Sequence, residues 1–388
     1  MIEDWRNGGF GLYVHWPFCE AKCPYCDFNS HVSREIDEDR WRAAYLSEID
    51  RIAELTPDRV LNSVFFGGGT PSLMSPELVN ALIERIREKW TFANNIEITL
   101  EANPRSVEAG RFRGFADAGV NRVSMGIQAL NNPDLAKLGR LHSVEEARKA
   151  FDTARSVFKR ISFDLIYARQ GQSLNDWRKE LTEALAMSVD HLSLYQLTIE
   201  QGTAFWERQR RGQLSGLPDE DLSADMYELT QEICDQHGMP AYEVSNHAEP
   251  GAESQHNLIY WRYGDYGGIG PGAHGRLSLN GRKHATVAWR NPGAWLENAE
   301  QGNGDRINDI VSNIDQAGEY LMMGLRLQEG IDVVRVRDLD PAALSPEQTN
   351  KMADLGLIWQ NGNRLGATPQ GRMVLNSLIT ELLPDHPE

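Results

Sequence analysis

The first half of the chain alternates short apolar runs with amphipathic helical patterns, which limits the folds it can adopt. The apolar runs lie at 12–16, 63–67, 96–100, 122–127, 161–166 and 191–197. The helical patterns lie at 39–55, 76–90, 107–118, 144–157 and 174–187. Strand–helix alternation predicts an α/β fold with a parallel sheet covered by helices. Six such units predict a partial β/α barrel, two units short of the closed eight-unit barrel.

Polar and glycine residues follow several of the predicted strands. The first strand leads into a loop that contains cysteines, and the second leads into the run Gly-Gly-Gly-Thr-Pro at 67–71. Glu101, Gln128 and Asp164 lie at or near the ends of three further strands. Parallel barrels carry their chemistry at the carboxyl ends of the strands. We therefore expect these residues to share one rim of the barrel.

The pattern changes after about residue 205. An amphipathic helix is expected at 221–237, because its apolar residues recur at helical spacing. The stretch 238–300 is rich in Gly, His, Tyr and Trp and lacks a clear period, so we expect it to be irregular.

The residues from about 310 onward combine helical patterns with a hairpin signal. An apolar stripe predicts a helix that ends by Gly330, and 346–355 predicts another. Asn361-Gly362 separates two short runs and predicts a hairpin, and Thr368-Pro369 predicts the start of a last helix. This order is typical of a small winged-helix-like domain. The expected regions are a barrel at 1–205, a connecting region that completes the core at 206–305, and the winged-helix-like domain at 306–388.

The chain of 388 residues carries a formal net charge of -17, which limits its partners. A polyanion such as DNA or RNA would be repelled, because phosphate binding needs clustered lysine and arginine, so we expect no nucleic-acid partner. The N-terminal residues lack the basic and apolar segments of a signal peptide. No apolar run approaches the roughly 18 residues of a membrane span. We expect a cytoplasmic protein and leave contact with a membrane surface open.

Three of the four cysteines lie within eight residues, at Cys19, Cys23 and Cys26. Three thiolates on one loop can hold three irons of a [4Fe–4S] cluster, which leaves the fourth iron open to another ligand. The alternative is a zinc site whose fourth ligand would be His15 or His31. The isolated Cys234 is expected to be a small buried hydrophobic residue.

Several motifs together resemble the oxygen-independent coproporphyrinogen oxidase family of radical S-adenosylmethionine (SAM) proteins. They are Tyr13-Val-His-Trp-Pro-Phe-Cys19 with Cys23-Pro-Tyr-Cys26, Gly67-Gly-Gly-Thr-Pro71, Glu101-Ala-Asn-Pro, Ser124-Met-Gly-Ile-Gln128, Asp164-Leu-Ile-Tyr167 and Tyr242-Glu-Val-Ser-Asn246. The resemblance implies that the open iron binds the amino and carboxylate groups of SAM. It also implies that reduction of the cluster cleaves SAM to a 5′-deoxyadenosyl radical.

The resemblance assigns SAM contacts residue by residue. The implied contacts are Tyr13, Tyr25, Gly68, Gly69, Thr70, Glu101, Gln128, Arg140 and Asp164. Glycine permits close backbone approach, and carboxylates suit an ammonium group and ribose hydroxyls. The chain departs from the family at Ala168-Arg169-Gln170-Gly-Gln, where the usual sequence is Gly-Leu-Pro-Gly-Gln. That departure leaves the shape of this loop open.

Two features separate an oxidase from a heme chaperone within this family. Phe28 stands where the oxidase carries a further cysteine, which argues against decarboxylation of coproporphyrinogen. His256-Asn-Leu-Ile-Tyr260-Trp261 resembles the H-N-x-x-Y-W motif of the radical SAM heme chaperones, the HemW group. This resemblance implies that His256 is an axial heme ligand and that Tyr260 and Trp261 pack on the porphyrin. His274 is a second candidate ligand.

The resemblance therefore implies a radical SAM heme chaperone with a [4Fe–4S] cluster, SAM and heme. Its expected partners are acceptor heme proteins of respiration. The alternative is a coproporphyrinogen oxidase-like enzyme that abstracts hydrogen from a tetrapyrrole. A nucleic-acid binder that uses the winged domain is disfavoured by the net charge. The sequence leaves the oligomeric state and the identity of the acceptor open.

Overall fold

The computed structural model describes residues 3–33, 35–104 and 109–384. The strands of the larger part are β1 (Phe10–Trp16), β2 (Phe18–Cys19), β3 (His31–Val32), β4 (Val60–Gly68), β5 (Thr91–Ala102), β6 (Arg122–Gln128), β7 (Arg160–Tyr167), β8 (His191–Gln196), β9 (Asn246–Ala248), β10 (Asp265–Ile269), β11 (His274–Leu279), β12 (Arg282–Ala288) and β13 (Asp305–Ile310). Its helices are α1 (Glu38–Leu55), α2 (Pro76–Lys89), α3 (Ala109–Asp117), α4 (Asn132–Lys137), α5 (Val144–Val157), α6 (Leu174–Met187), α7 (Ala204–Arg210), α8 (Glu220–Gln236), α9 (Gln255–Trp261) and α10 (Pro292–Glu300). Short 3₁₀ turns lie at Asp4–Asn7 and Pro71–Leu73.

One sheet of eleven strands organises this part of the described chain, in the order β13-β12-β11-β10-β1-β4-β5-β6-β7-β8-β9. β1 and β4 to β8 pair in parallel, which confirms the six predicted strands. β10 adds a parallel strand on the other side of β1. The predicted α/β fold is confirmed, and the rim formed by the strand ends is available for a site.

The helices begin where the sequence provides caps. Ser143 starts α5 with a capping box that includes Glu146, and Ser75 caps α2 ahead of Pro76. A serine cap that accepts from the first turn satisfies backbone N–H groups that have no partner within the helix. α1, α2, α5, α6 and α8 match their predicted positions. The predicted helix 107–118 is observed as α3, and its first two residues lie outside the described ranges.

The prediction that 238–300 is irregular is wrong. This stretch forms β9 to β12 together with α9 and α10, and β10 pairs with β1 in the main sheet. The many glycines of this stretch led to the expectation of irregular structure, but several of them allow close packing between strands. A β-carbon on Gly268 would lie 2.1 Å from the backbone oxygen of His274, and one on Gly275 would lie 2.5 Å from the hydroxyl of Thr286.

The helices bury their apolar faces against the sheet. β1 is buried along nearly its whole length, as expected for a central parallel strand. Trp16, Trp41, Tyr45 and Trp295 pack together beside it, and Trp41 stacks on Trp295 with ring centroids 5.5 Å apart. Cys234 is fully buried within α8, which confirms its predicted role as a small hydrophobic residue.

The C-terminal elements are α11 (Asn313–Gly324), β14 (Ile331–Asp332), α12 (Val333–Leu339), α13 (Pro346–Asp354), β15 (Ile358–Asn361), β16 (Arg364–Ala367), α14 (Pro369–Met373) and α15 (Leu375–Leu382). The strands form a separate sheet in the order β14-β16-β15. The hairpin of β15 and β16 turns at Gly362, which has a φ of 57°. This arrangement is the predicted winged-helix-like unit, and it has its own apolar core. The boundaries at 205/206 and 305/306 stay predictions.

No helix in the described parts of the chain is both long enough and apolar enough to cross a membrane.

Candidate functional site

Cys19 is the last residue of β2, and Cys23 and Cys26 lie on the loop that joins β2 to β3. These two short strands pair in parallel, with Cys19 opposite Val32. A tight turn follows, in which the backbone N–H of Cys26 donates to the carbonyl of Cys23 at 3.1 Å. The three thiols are free and partly buried, and all three line one cavity of about 330 Å³. A loop that directs three thiols into one cavity fits the ligand set of a [4Fe–4S] cluster with one open iron.

Each of these thiols has a polar neighbour. The hydroxyl of Thr70 lies 3.5 Å from Cys19 Sγ, and Nη1 of Arg140 lies 3.3 Å from Cys23 Sγ. The hydroxyl of Ser30 lies 3.9 Å from Cys26 Sγ. Burial raises the pKa of Cys19 and of Cys26, so the thiolate forms need stabilisation by a bound cation. Thr70 and Arg140 were predicted as SAM contacts, and here they also support the cysteines.

The histidines considered for a zinc site have other partners. Nδ1 of His15 lies 3.0 Å from the hydroxyl of Tyr13, and its Nε2 lies 2.9 Å from the carbonyl of Asn29. Nε2 of His31 lies 3.1 Å from Oδ1 of Asn29. Both nitrogens of His15 are thus engaged, so this ring would have to break hydrogen bonds to bind zinc.

The residues that were predicted to share one rim of the barrel line the same cavity. It contains eight of the nine predicted SAM contacts, which are Tyr25, Gly68, Gly69, Thr70, Glu101, Gln128, Arg140 and Asp164. They come from the cysteine loop, from the ends of β4 to β7 and from the segment before α5. The carboxyl ends of these parallel strands lie along one edge of the sheet, which brings together residues that are far apart in sequence.

Gly68 and Gly69 fit closely against their own chain. A β-carbon on Gly68 would lie 2.5 Å from the His15 ring, and one on Gly69 would lie 2.6 Å from the backbone oxygen of Phe18. Gly68 also has a φ of 109°, which L side chains rarely adopt. Glycine is therefore required here to seat the cysteine loop on the end of β4. Close approach of SAM to these backbone amides stays a prediction.

Glu101 and Asp164 form an acidic pair in the cavity wall. Glu101 accepts a hydrogen bond from the backbone N–H of Gly68 at 3.2 Å, and Asp164 accepts one from the hydroxyl of Ser124 at 3.3 Å. Burial and the nearby Asp164 raise the pKa of Glu101 to about 8. Burial also raises the pKa of Asp164 to about 6, against the opposing effect of its hydroxyl partners Ser193 and Ser124. The pair therefore suits a cationic ligand that restores the ionised forms.

These raised pKa values predict a pH dependence of stability for the protein without SAM. The folded state holds protons on Glu101 and Asp164 that the unfolded state releases at lower pH. The free energy of unfolding should therefore fall as the pH rises from about 4 to 8, by at most about 1.4 kcal/mol per pH unit for each group. Denaturant titrations at several pH values measure this slope. Glu101→Gln should flatten it between pH 6 and 8, and an unchanged slope in this variant would contradict the assignment.

Gln128 reaches the cavity through an irregularity in its strand. The pairing of β6 with β7 shifts between Met125 and Gln128, and Gln128 has a φ of 74°. A bulge redirects a side chain, and backbone strain of this kind concentrates at functional sites. Ser124 and the β8 residues Tyr195 and Gln196 also line the cavity, although none of them was a predicted SAM contact. Their position at or near strand ends was the available signal.

Tyr13 lines a second cavity of about 330 Å³ and, unlike the other predicted SAM contacts, is not among the residues that line the cysteine cavity. Its ring stacks with Phe65 and with His256 at centroid distances of 6.3 Å. Phe28, Gly68 and Glu101 line both cavities, so the two spaces are adjacent. Phe28 is 60% exposed. The role of Tyr13 as a SAM contact stays a prediction.

The predicted heme residues divide between different environments. His256 is only 2% exposed. Its Nδ1 lies 2.7 Å from the hydroxyl of Ser63, and its Nε2 lies 2.9 Å from the hydroxyl of Tyr260. Burial lowers the pKa of His256 to about 3, which keeps the ring neutral. Both of its nitrogens are engaged, so His256 would have to release a partner to bind iron.

Tyr260 and Trp261 are more accessible than His256. Tyr260 lines the second cavity and also a third one, of about 380 Å³, which Trp261 lines as well. The exposed His274 begins β11 and lines the second cavity, where Tyr13 and Tyr260 also lie. The structure therefore brings Tyr260 and His274 to one space and places Trp261 in the neighbouring one.

The unusual loop after β7 is explained by a buried ion-pair network. Arg169 is 2% exposed and donates to Asp134 at 2.9 Å and to Glu180 at 2.5 Å. Gln172 donates to the same Glu180 carboxylate at 3.2 Å. Ala168 has a φ of 57° at the position where the family usually has glycine. Arg169 is thus used to join α4 to α6.

Comparisons with known proteins agree with the observed fold. The model of the Radical SAM superfamily matches residues 13–184, and that of the HemN C-terminal domain matches residues 311–374. A solved structure of coproporphyrinogen III oxidase (HemN) from Escherichia coli, described as a radical SAM enzyme, has a TM-score of 0.81. The match covers 96% of this chain and 89% of that chain at 22% identity, which shows the shared fold.

Two relatives are similar over nearly their full lengths. The radical S-adenosyl methionine domain-containing protein 1, mitochondrial, of Bos taurus is 37% identical, with 96% of this chain and 87% of the relative covered. The heme chaperone HemW of Escherichia coli (strain K12) is 36% identical, with 96% and 98% covered. The predicted resemblance is confirmed, and the chain belongs to the HemW family of radical SAM proteins.

Proposed function

We propose that this protein binds heme and delivers it to respiratory heme proteins, using a [4Fe–4S] cluster and SAM. The observation that carries this proposal is the near full-length similarity to proteins named heme chaperone HemW, together with the cavity that collects three cysteines and eight predicted SAM contacts. When bound, the cluster would supply one-electron reduction of SAM. The chain would contribute the thiolates, the acidic pair Glu101 and Asp164, and Arg140.

The residues around the cluster cavity have defined tasks in this proposal. Cys19, Cys23 and Cys26 hold the cluster, and Arg140 places a positive charge next to Cys23. Glu101 and Asp164 meet the cationic groups of SAM, which favours their ionised forms and releases protons. SAM binding should therefore strengthen as the pH rises from 6 to 8.

The proposed heme region adjoins this cavity. Tyr260 lines the second cavity and Trp261 lines the third. The hydroxyl of Tyr260 lies 2.9 Å from Nε2 of His256. Glu101 and Gly68 separate the second cavity from the cluster cavity, so heme bound there would lie close to SAM. That proximity supports a function in which the state of the cluster site controls the release of heme.

The location and the acceptor belong to the same proposal. The bacterial relatives are named heme chaperones, whereas the animal relatives are named mitochondrial. We propose a cytoplasmic protein that meets its acceptor at the membrane surface or before membrane assembly. The acceptor is a heme protein of respiration that has not yet received its heme.

The alternative function, hydrogen abstraction from a tetrapyrrole, makes a different prediction. Phe28 is exposed between two cavities at the position where the oxidase has its further cysteine. We expect no conversion of coproporphyrinogen to protoporphyrinogen by reconstituted protein with SAM and a reductant under anaerobic conditions. Product analysis by fluorescence checks this result. Product that forms in proportion to protein concentration would replace the chaperone proposal by the enzymatic one.

Heme binding itself is tested by titration of hemin into the anaerobically reconstituted protein. A saturable shift of the Soret band, followed by transfer of heme to an apo-acceptor on addition of SAM and reductant, is the expected result. Cys23→Ala should retain some heme binding but fail in transfer. Wild-type protein that binds no heme would remove the chaperone proposal.

A further inference from the structure

We propose that Arg122 is a positioning residue of the SAM site, which acts on Asp164 through a chain of two serine hydroxyl groups. The chain holds Asp164 in the ionised form that the cationic groups of SAM require. This inference rests on the proposed function, because it concerns the charge of a proposed SAM contact.

The first support is a row of buried polar side chains that leads along the sheet to the cluster cavity. Arg122 and Ser124 lie two residues apart on β6 and therefore share one face of the sheet. Ser124 lies opposite Ser162 of β7, and Asp164 follows two residues later on that strand. Arg122 is 3% exposed and Ser162 is fully buried. Parallel strands that are covered on both faces usually carry apolar residues, so these polar groups need partners.

The second support is that hydrogen bonds join these side chains in one direction. Nη2 of Arg122 donates to the hydroxyl oxygen of Ser162 at 2.9 Å, and the Ser162 hydroxyl donates to that of Ser124 at 3.0 Å. The Ser124 hydroxyl in turn donates to Oδ1 of Asp164 at 3.3 Å. A guanidinium group can only donate, and each serine hydroxyl has one proton to give. With Arg122 at its start, every O–H bond of the chain points towards Asp164, which favours the carboxylate over the carboxylic acid.

The third support is that the charge of Arg122 is only partly compensated by an acid. Its Nε lies 3.9 Å from Oε2 of Glu97, which is longer than a hydrogen bond. Nη1 of Arg160 lies closer to the same oxygen, at 3.3 Å. Glu97 is therefore shared with a second cation, and Arg122 keeps positive charge on the side of the serines. In a buried site this charge acts over a longer distance than it would in water.

The ionisable groups that face Asp164 from the neighbouring elements are Glu101, Arg122, Arg140 and Tyr195. Burial raises the pKa of Asp164 to about 6, and the positive charges of Arg122 and Arg140 oppose that rise. Arg140 lies at the cysteine loop, with Nη1 3.3 Å from Cys23 Sγ. Arg122 is joined to Asp164 by the serine chain. Breaking that chain should therefore raise the pKa of Asp164 further.

Infrared titration of the reconstituted protein without SAM tests the chain directly. The carbonyl stretch of protonated Asp164 is identified by its loss in Asp164→Asn, and its intensity against pH gives the pKa of this group. Ser162→Ala removes the middle of the chain and leaves Arg122 in place, so it should raise this pKa by about half a pH unit. Arg122→Gln should raise it by about one unit, because it removes the charge as well. Arg122→Lys keeps a cation that can only donate, so its pKa should stay closer to that of wild type.

SAM binding to the same variants should follow these values. Affinity at pH 6 should fall about threefold in Ser162→Ala and about tenfold in Arg122→Gln, since half a unit and one unit of pKa correspond to these factors. The affinities should approach that of wild type at alkaline pH, where Asp164 is ionised in every variant. A role of Arg122 in folding alone would not produce this dependence on pH. Ser162→Ala tests the chain even if Arg122→Gln does not fold.

Thr99→Val is the matched control. Thr99 is fully buried, and its hydroxyl lies 3.5 Å from Nη1 of Arg122, outside the chain to Asp164. This variant should leave the pKa of Asp164 and the pH profile of SAM binding unchanged. An unchanged pKa in Ser162→Ala, or equal shifts in Ser162→Ala and Thr99→Val, would overturn the proposal. If the infrared shifts appear as expected and wild type binds no SAM, the proposed function fails and the chain to Asp164 stands.

Discussion

Replacing any one of Cys19, Cys23 and Cys26 by alanine is expected to abolish the iron–sulfur cluster. Wild type should hold about four irons and four sulfides per chain after anaerobic reconstitution. The three thiols share one loop and one cavity, so no spare thiol can replace a missing ligand from within that loop. Iron and sulfide analysis, together with the charge-transfer absorption of the cluster, measures the result. Each single variant should fall to near background.

Cys234→Ala is the control for this experiment. Cys234 is buried in α8, and burial raises the pKa of its thiol to about 12, so it is a poor source of thiolate. This variant should keep the full cluster content. A Cys234 variant without a cluster would contradict the three-ligand assignment. A full cluster in any of the three loop variants would contradict it equally.

Replacing Arg140 by glutamine tests whether this residue is needed to bind the cluster or only positions the cysteine loop. Arg140 lies 3.3 Å from Cys23 Sγ and 2.8 Å from the carbonyl of Gly126, so it joins the cysteine loop to β6. Loss of the cluster in Cys23→Ala but retention in Arg140→Gln would place the arginine among the supporting groups. The two results together define which residues are ligands and which only position them.

The sequence predicted the parallel half of the fold well because its signals are local. Serine caps and apolar stripes mark the ends and the buried faces of α2 and α5. The stretch 238–300 was predicted poorly because its strands are paired by long-range contacts. β10 contacts β1, more than 250 residues away in sequence, and its glycines are selected by close backbone packing. A pattern based on local composition contains no information about such a neighbour.

The candidate site shows the same contrast between features that the sequence predicts and features that depend on long-range contacts. The cysteines, Gly68, Glu101 and Asp164 were predicted together because the carboxyl ends of parallel strands meet at one edge. Tyr13 lies elsewhere because it alternates with buried Leu12 and Val14 along β1 and so faces the second cavity with His15. The partner that holds His256 of α9 could not be predicted, since Ser63 lies on β4, 193 residues away in sequence.

The departure from the family sequence at Ala168-Arg169-Gln170 is explained by the acidic residues that contact this loop. The family's glycine would adopt the φ of 57° at position 168 with less strain than alanine does. An apolar residue at position 169 would leave Glu180 without its cation and Asp134 with Lys137 alone. Here Arg169 meets Asp134 and Glu180, and Glu180 also accepts from the backbone N–H of Leu130 at 2.6 Å. The loop is therefore fastened to α4 and α6 by charge.

Arg169→Ala is accordingly expected to lower the free energy of unfolding by about 3–5 kcal/mol, as when one partner is removed from a buried ion pair. The side chains of Arg169 and Glu180 are 3% and 8% exposed, so water would solvate the remaining carboxylate poorly. Lys137 compensates Asp134 in part at 2.9 Å, so Glu180 should bear most of the cost. Denaturant midpoints at an unchanged slope measure the loss.

Arg148→Ala provides the matched comparison, because Arg148 pairs with Glu183 on the surface, where both side chains are more than 40% exposed. An exposed pair should contribute about 0–1 kcal/mol. Adding Glu180→Gln to Arg169→Ala should recover part of the lost stability, since it removes the uncompensated charge. Equal effects of Arg169→Ala and Arg148→Ala, or no recovery in the double variant, would show that burial of this network does not determine its contribution. In that case the apolar residue usual in the family would stabilise this loop equally well.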